Sequence, residues 1–230
     1  MYLTRMPINP ARRDSRKLLA SPQAMHAAVM FGYPEAPQAD GERPRALWRL
    51  DSADGSRPVL YIVGPQPPDL THLVEQAGWP TTGGWETRPY QKFLDALTAG
   101  QRWIFRLTAN PMHSVSRGPG KRGKRLAHVT VAQQEQWLLE RAQRHGFQLT
   151  RTGEDEGAPY DLLVRDRNTR EFTRRNPEAS RSKQQVTIAT ATYDGVLEVS
   201  DVDLLQRTLT RGIGAAKAYG CGLMTLAPTR

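Results

Sequence analysis

The segment Gly212-Ile-Gly-Ala-Ala-Lys-Ala-Tyr-Gly-Cys-Gly222 separates a helix pattern from a strand pattern near the end of the chain. The preceding pattern, Asp201 to Leu209, predicts a helix capped by Ser200 or Asp201, and Leu223 to Leu226 predicts a final strand. A dinucleotide-binding fingerprint is also glycine-rich, but it follows a strand and opens a helix. The reversed order argues against NAD binding and favours an α+β fold.

This glycine-rich segment has two possible roles. Glycines let a backbone approach a phosphate closely and present its N–H groups, and Lys217 adds positive charge. The alternative is a connection that needs glycine only for tight turns. Spacing alone leaves both roles open.

Residues before this segment give alternating strands and amphipathic helices. Trp103, Phe105 and Leu107 predict a strand, and Val131 to His145 predicts a helix. Further strand patterns lie at Gln148 to Arg151, Tyr160 to Arg165 and Val186 to Val199, with a break at Asn168 and a polar segment at 176–182. The second half therefore has approximately a βαββαβ order.

The first half shows the same order. A strand is predicted over Tyr2 to Ile8, and Ser21-Pro22 has the residue types of a helix N-cap and first turn. Two strands flank 51–55, a helix is predicted around Leu73, and Trp85 to Phe93 contains a further strand pattern. Two such units predict an α+β protein with tandem ferredoxin-like (RRM-like) βαββαβ domains at residues 1–90 and 100–230. The linker is expected near Thr87 to Gly100.

Charge and cysteine content limit the partners. The chain has 230 residues with 32 Lys+Arg against 23 Asp+Glu, a formal net charge of +9 that suits a polyanion such as nucleic acid. No stretch approaches the roughly 20 apolar residues that span a bilayer, and Met1-Tyr-Leu-Thr4 lacks a signal-peptide layout. Cys221 is the single cysteine, which excludes an internal disulfide. We expect a cytoplasmic protein with no membrane partner.

Two clusters of basic residues are candidates for RNA binding, because arginine forks grip phosphates and guanine edges. The first lies in a glycine-bearing loop and contains Arg117, Lys121, Arg122, Lys124 and Arg125. The second covers a predicted hairpin and the residues after it, and it contains Arg165, Arg167, Arg170, Arg174, Arg175, Arg181 and Lys183. Solvated loops are the alternative for either cluster alone.

His26 is the candidate for proton transfer. It lies one step round the first helix from the apolar Met25/Val29 face, and a histidine pKa near neutrality suits acid–base chemistry on RNA. A structural histidine is the alternative. The five histidines are scattered without metal-ligand spacing, and there is no obvious acidic cluster, so we expect no metal and no cofactor.

Taken in order, these motifs resemble the CasE family of type I-E CRISPR systems. The glycine-rich segment through Leu226, Phe105-Arg-Leu-Thr-Ala-Asn-Pro111, His128-Val-Thr130 and the start Met1-Tyr-Leu-Thr-Arg5 are all similar to that family. The resemblance spans nearly the whole chain. It implies a metal-independent endoribonuclease that binds the stem-loop of a CRISPR repeat and cuts at the 3′ base of the stem, leaving a 2′,3′-cyclic phosphate and a 5′-hydroxyl.

The resemblance also implies roles for particular residues. The family's active-site histidine corresponds to His26, as general base or acid, and Gly212, Gly214 and Lys217 correspond to its glycine-rich motif. The region that contacts the stem contains Arg174, Arg175, Arg181 and Lys183. Some relatives have a catalytic tyrosine where this chain has Gln23, with Tyr2 or Tyr33 as possible substitutes.

The partners implied are CRISPR repeat hairpin RNA and the other subunits of the Cascade complex, in which the protein stays bound to its product. The principal alternative is a catalytically weak or inactive hairpin-RNA-binding subunit of the same fold. A basic DNA-binding regulator is a third possibility, but no helix-turn-helix pattern with an exposed basic helix supports it.

Overall fold

The computed structural model describes residues 1–33, 46–52, 57–80, 83–116, 118, 120, 123–155, 157–175 and 183–229. The first half contains four strands and four helices. In chain order they are β1 (Tyr2–Pro7), α1 (Arg13–Ala20), α2 (Pro22–Phe31), β2 (Leu47–Asp51), β3 (Val59–Gly64), α3 (Thr71–Ala77), β4 (Glu86–Pro89) and α4 (Gln91–Asp95).

The first four strands form one antiparallel sheet in the order β2-β3-β1-β4. This is the strand order of a ferredoxin-like domain. The apolar faces of α2 and α3 pack on one side of the sheet, where Met25, Val29 and Leu73 are buried together with Met6 and Ile62. Two consecutive helices, α1 and α2, stand between β1 and β2 where the sequence predicted one.

The described part of the second half contains seven strands and two α-helices. They are β5 (Arg102–Ala109), β6 (Met112–Val115), β7 (Lys124–Ala127), α5 (Val131–Ala142), β8 (Phe147–Leu149), β9 (Leu162–Arg175), β10 (Lys183–Val199), α6 (Val202–Arg211) and β11 (Met224–Pro228). Short 3-10 helices follow α5 at Gln143–His145 and α6 at Lys217–Tyr219.

The second sheet repeats the first in the order β11-β5-β10-β8, and β9 pairs with another part of β10. Inward-facing Phe105 and Tyr193 of the sheet share a core with Leu138 of α5 and Leu209 of α6. The predicted α+β class with two tandem ferredoxin-like units is therefore confirmed. The domain limits of 1–90 and 100–230 stay a prediction, with the first sheet ending at Pro89 and the second beginning at Arg102.

The linker expected near 87–100 stays a prediction, and this stretch contains the end of β4 and α4, whose Leu94 is buried. One local prediction was wrong. The strand break expected at Asn168 does not occur, because a register shift opposite Thr190–Thr192 and a left-handed Asp166 (φ 48°) let β9 continue to Arg175.

A buried arginine joins the two sheets. Arg49 of β2 is 1% exposed and donates two hydrogen bonds to Asp51, at 2.6 and 3.0 Å. It also donates to the carbonyl oxygens of Arg106 (2.7 Å) and Leu223 (3.0 Å) and to the hydroxyl of Thr225 (2.7 Å). Because β5 and β11 belong to the second sheet, Arg49 fixes the position of the first sheet against it.

Among the described helices, we find none with the length and apolar content needed to cross a membrane.

Candidate functional site

His26 lies on α2, which begins as the sequence predicted. The Ser21 hydroxyl accepts a hydrogen bond from the Ala24 backbone N–H at 3.2 Å, and Pro22 occupies the first turn. Met25 is buried, whereas His26 is half-buried and Gln23, one turn earlier, is exposed. The helix therefore presents His26 at the boundary between core and solvent.

A tryptophan of the first sheet contacts this histidine. The Nε1–H of Trp48, on β2, donates to Nδ1 of His26 at 3.4 Å, a long hydrogen bond. An indole nitrogen only donates, so Nδ1 must be unprotonated and the neutral ring carries its proton on Nε2. Burial also lowers the pKa of His26. Both effects favour neutral imidazole at neutral pH.

The glycine-rich segment supports Trp48 from its other side. A Cβ at Gly220 (φ 80°) would lie 2.7 Å from the Trp48 ring, so only glycine allows this approach. A Cβ at Gly212 (φ 74°) would lie 2.9 Å from the Gly222 carbonyl oxygen, which accepts a hydrogen bond from Ile213 N–H at 2.9 Å. Tight packing thus explains these glycines, and a phosphate contact by Gly212, Gly214 and Lys217 stays a prediction.

A cleft of about 340 Å³ is lined by Trp48, which contacts His26, and by Met25, the residue before His26; His26 itself does not line it. Its walls come from α2, β2, the β9–β10 pair and the glycine-rich segment, and it includes Met25, Trp48, Arg167, Arg170, Phe172 and Tyr219. The Phe172 and Tyr219 rings lie 4.9 Å apart, so the base of the β9–β10 pair packs on the 3-10 helix of the glycine-rich segment. The cleft thus combines aromatic rings and arginines, and His26 is connected to it through Trp48.

The predicted basic hairpin is a long two-stranded ribbon. Eight residue pairs, from Asn168↔Thr190 to Arg175↔Lys183, extend past the last pairing of β10 with β5. At about 3.3 Å per residue the ribbon reaches about 26 Å. Arg174, Arg175 and Lys183 lie at its far end by register, and Arg181 lies outside the described residues.

The other basic cluster surrounds a second hairpin, β6–β7, which the sequence indicated only as a loop. Lys124 and Arg125 are exposed on β7. Arg117, Lys121 and Arg122 lie outside the described residues. Strand pairing through Met112↔Ala127 and Val115↔Lys124 therefore fixes the backbone of two members of the cluster.

The remaining histidines have other contacts. His145 Nδ1 lies 2.9 Å from the Thr208 hydroxyl, and His72 Nε2 lies 2.8 Å from the Ala28 carbonyl oxygen. The His113 and His128 rings are 4.5 Å apart. Within the described residues no group of three or more His, Cys, Asp or Glu side chains is arranged to hold a metal ion.

The two possible tyrosine substitutes differ in exposure. Tyr2 is half-buried on β1, whereas Tyr33 is 5% exposed and its hydroxyl packs against Gly64. Burial raises the pKa of Tyr33 to about 12, so its deprotonation is disfavoured.

An arginine–aspartate network missed by sequence reasoning extends from Arg49. Arg106 donates to Asp194 at 2.6 and 3.0 Å, and Arg165 donates to Asp194 at 2.6 Å. Burial opposes ionisation of Asp194, but these hydrogen bonds outweigh it and lower the pKa. Strand alternation in the sequence could predict which face of a strand each side chain occupies. It could not predict that Arg106, Arg165 and Asp194 meet, because they lie on different strands.

Comparison with known proteins agrees with this geometry over nearly the whole chain. A family model described as "CRISPR associated protein" matches residues 1–228. The CRISPR-associated endoribonuclease Cse3 of Thermus thermophilus is 34% identical over 229 residues, which are 99% of this chain and 100% of that protein. The chain belongs to the CasE family of CRISPR-associated proteins.

A second relative and a solved structure extend the comparison. The Cascade subunit CasE of Escherichia coli is 27% identical over 197 residues, covering 80% of this chain and 89% of that protein. A solved structure of Thermus thermophilus Cse3, bound to an RNA representing a pre-cleavage complex, matches with a TM-score of 0.74 and 30% identity. That match covers 99% of this chain and 98% of the other.

Proposed function

We propose that the protein is a metal-independent endoribonuclease that binds the stem-loop of a CRISPR repeat and cleaves precursor CRISPR RNA at the 3′ base of the stem. The single observation that carries the proposal is His26, whose neutral form is favoured by burial and by Trp48, a residue that lines a cleft with arginines in its wall. The family relation supports it, because Cse3 is named an endoribonuclease and one Cse3 structure contains RNA.

In the proposed reaction the 2′-hydroxyl attacks the adjacent phosphorus and the 5′-oxygen leaves. The 2′-hydroxyl proton passes to a base and a proton returns to the 5′-oxygen, giving a 2′,3′-cyclic phosphate and a 5′-hydroxyl. We assign His26 as the base, because a base must be unprotonated and both burial and Trp48 favour the neutral ring. The 2′-hydroxyl then replaces the weakly held Trp48 N–H at Nδ1.

Basic side chains supply the binding energy and stabilise charge on the pentacoordinate phosphorus. Arg170 and Arg167 line the cleft, but Arg167 is already bonded to Gln134 (3.0 Å) and to the Val129 carbonyl oxygen. Arg170 is therefore the better placed of the two for the phosphate. We assign the stem to the two basic clusters, Arg174, Arg175, Arg181 and Lys183 in one and Arg117, Lys121, Arg122, Lys124 and Arg125 in the other.

After cleavage we propose that the protein retains the hairpin and acts as a Cascade subunit in the cytoplasm. The naming of the Escherichia coli relative as a Cascade subunit supports this assembly. A protein that keeps its product needs few turnovers, which is compatible with Gln23 in place of a catalytic tyrosine.

Gln23 also favours the second candidate function, a hairpin-RNA-binding subunit with little or no activity. One experiment separates the two: incubation with the genomic repeat RNA in EDTA, using all-ribose RNA and RNA with 2′-deoxyribose at the scissile nucleotide. Cleavage of the all-ribose RNA alone, with a cyclic phosphate detected by mass spectrometry, supports the nuclease. Tight binding of both RNAs without cleavage, in EDTA and in a parallel reaction with Mg²⁺, supports the binding subunit, and cleavage that occurs only with Mg²⁺ contradicts the proposed mechanism.

A further inference from the structure

A second cavity lies beside the glycine-rich segment at the end away from Trp48. It has a volume of about 480 Å³, within the usual range of about 300–1,000 Å³ for ligand sites. We call it the hairpin-side pocket, and its walls include Asn110, His113, Arg125, Trp137, Arg141 and Gly214. These residues come from the end of β5, the β6–β7 hairpin, α5 and the glycine-rich segment.

A buried amide in this pocket has an unused hydrogen-bonding atom. Asn110 is 5% exposed, and among the described residues its Oδ1 has no hydrogen-bond partner. The Nδ1 atom of the neighbouring His128 is also buried and without a partner in the described part of the chain. A buried polar atom left without a partner costs about 1–3 kcal/mol. Of these two residues only Asn110 lines the pocket, so a donor bound there is the group that would satisfy Oδ1.

The pocket is also basic and aromatic. The Arg141 guanidinium lies 4.5 Å from the centre of the Trp137 ring and donates to the Trp137 carbonyl oxygen at 2.9 Å. Its closest carboxylate is that of the exposed Glu140 at 3.9 Å. Arg125 is exposed at the rim, as is His113, whose ring lies 4.5 Å from that of His128. The walls therefore offer positive charge for a phosphate and ring faces for stacking.

The amide decides between a phosphate alone and a whole nucleotide. A phosphodiester has acceptors but no donor, so it cannot satisfy the Oδ1 acceptor of Asn110. A nucleobase edge places N–H donors beside acceptors, which is the pattern an amide complements. Histidine rings stack on unpaired bases in RNA complexes. The combination fits an unpaired nucleotide with its base at Asn110 and its phosphate at the arginines.

We propose that the hairpin-side pocket binds one unpaired nucleotide of the bound RNA, outside the scissile pair. This inference rests on the proposed function, because it requires the protein to hold hairpin RNA. Gly214 lies in this pocket, whereas Gly220 lies against Trp48 beside His26. The two sites thus occupy opposite ends of one segment, and a nucleotide in the pocket sets the position of the RNA strand relative to His26.

The test measures RNA affinity by fluorescence anisotropy in EDTA. The probes are the genomic repeat RNA, 2′-deoxy at the scissile nucleotide, and a series in which each unpaired nucleotide flanking the stem is made abasic in turn. For the wild type we expect one abasic position to weaken binding about five- to a hundredfold, the range given by base stacking on a side chain. The other positions should have little effect.

Two variants identify the pocket. His113→Ala, at an exposed position that a folded chain tolerates, should abolish the penalty for that abasic position, and so should Asn110→Leu. Arg125→Ala should weaken binding of every RNA, with Arg88→Ala, an exposed arginine on β4, as the matched control that keeps wild-type affinity. Thermal unfolding of each variant checks that it is folded.

The outcomes separate this inference from the proposed function. If the wild type fails to bind the intact repeat RNA, the proposed function itself is overturned. If it binds tightly and no abasic position matters, the pocket holds only water and this inference is overturned. The same holds if His113→Ala is folded and retains the full abasic penalty.

Discussion

Replacing Trp48 with phenylalanine removes the Nε1–H that Trp48 donates to His26 and keeps an aromatic ring against Gly220. That N–H stabilises the neutral form of His26, because protonated Nδ1 would face another donor. The change should therefore raise the pKa of His26. A neutral hydrogen bond contributes about 0.5–1.5 kcal/mol, and a length of 3.4 Å places this one at the lower end. At about 1.36 kcal/mol per unit, the expected rise is about half a unit.

The readout is the pH dependence of single-turnover cleavage in EDTA at protein concentrations well below Kd, where the rate reports the pKa of His26 in the free protein, before the 2′-hydroxyl replaces the Trp48 N–H. A general base works only when unprotonated, so the rate falls on the acid side of its pKa. In Trp48→Phe this acid limb should move to higher pH by about half a unit, which makes cleavage about threefold slower well below the pKa. Kd for the repeat RNA should be unchanged.

An NMR titration of labelled histidines measures the same shift without RNA. His145, bonded to Thr208 of α6 in the second half of the chain, is the internal control and should titrate as in the wild type. An acid limb and a His26 pKa that stay fixed, or that move to lower pH in a folded Trp48→Phe, would refute the role given to Trp48.

Three further predictions concern binding and stability. Changing Arg174 and Arg175 together to alanine should weaken RNA binding and make its salt dependence shallower, because fewer counterions are released, as a titration of Kd against salt would show; an unchanged salt slope would remove these residues from the interface. Arg49→Met should lower the free energy of unfolding by about 3–5 kcal/mol in urea, because the largely buried Asp51 keeps only the longer contact to Arg106 (3.5 Å) and the carbonyl oxygens of Arg106 and Leu223 lose a donor. Arg102→Ala, which breaks an exposed pair with Glu198, should cost less than about 1 kcal/mol. Because the folded-state pKa of Asp194 is lowered, its contribution to stability is present above the unfolded pKa of about 3.9 and is lost as pH falls through the folded value. In Asp194→Asn the melting temperature should therefore fall less steeply as the pH is lowered. An unchanged slope of melting temperature against pH would contradict the network.

Local sequence signals predicted the elements that depend on neighbouring residues. Ser21-Pro22 and Asp201 begin α2 and α6 as predicted, and alternation in Trp103, Phe105 and Leu107 gave β5. These signals succeed because caps and strand faces are set by residues close in sequence. The helix that carries His26 could therefore be predicted from the sequence alone.

Features set by distant residues could not be predicted in this way. The partner of His26 is Trp48, 22 positions later, and the carbonyl of Leu223 that binds Arg49 lies 174 positions away. A charged residue such as Arg49 is expected to be exposed. Its burial is possible only because acceptors from distant parts of the chain come together around the guanidinium in the folded protein. The β6–β7 hairpin was missed because its glycine-rich surroundings resemble a loop.

The most direct test of the proposed function compares wild type with His26→Ala in EDTA on the same repeat RNA, measuring cleavage rate and Kd on each sample. We expect His26→Ala to lose cleavage while its Kd stays within about twofold of wild type, because the half-buried ring lies beside the cleft and the basic hairpins supply the affinity. Cleavage at the wild-type rate by folded His26→Ala would show that another group performs the proton transfer, and it would contradict the mechanism.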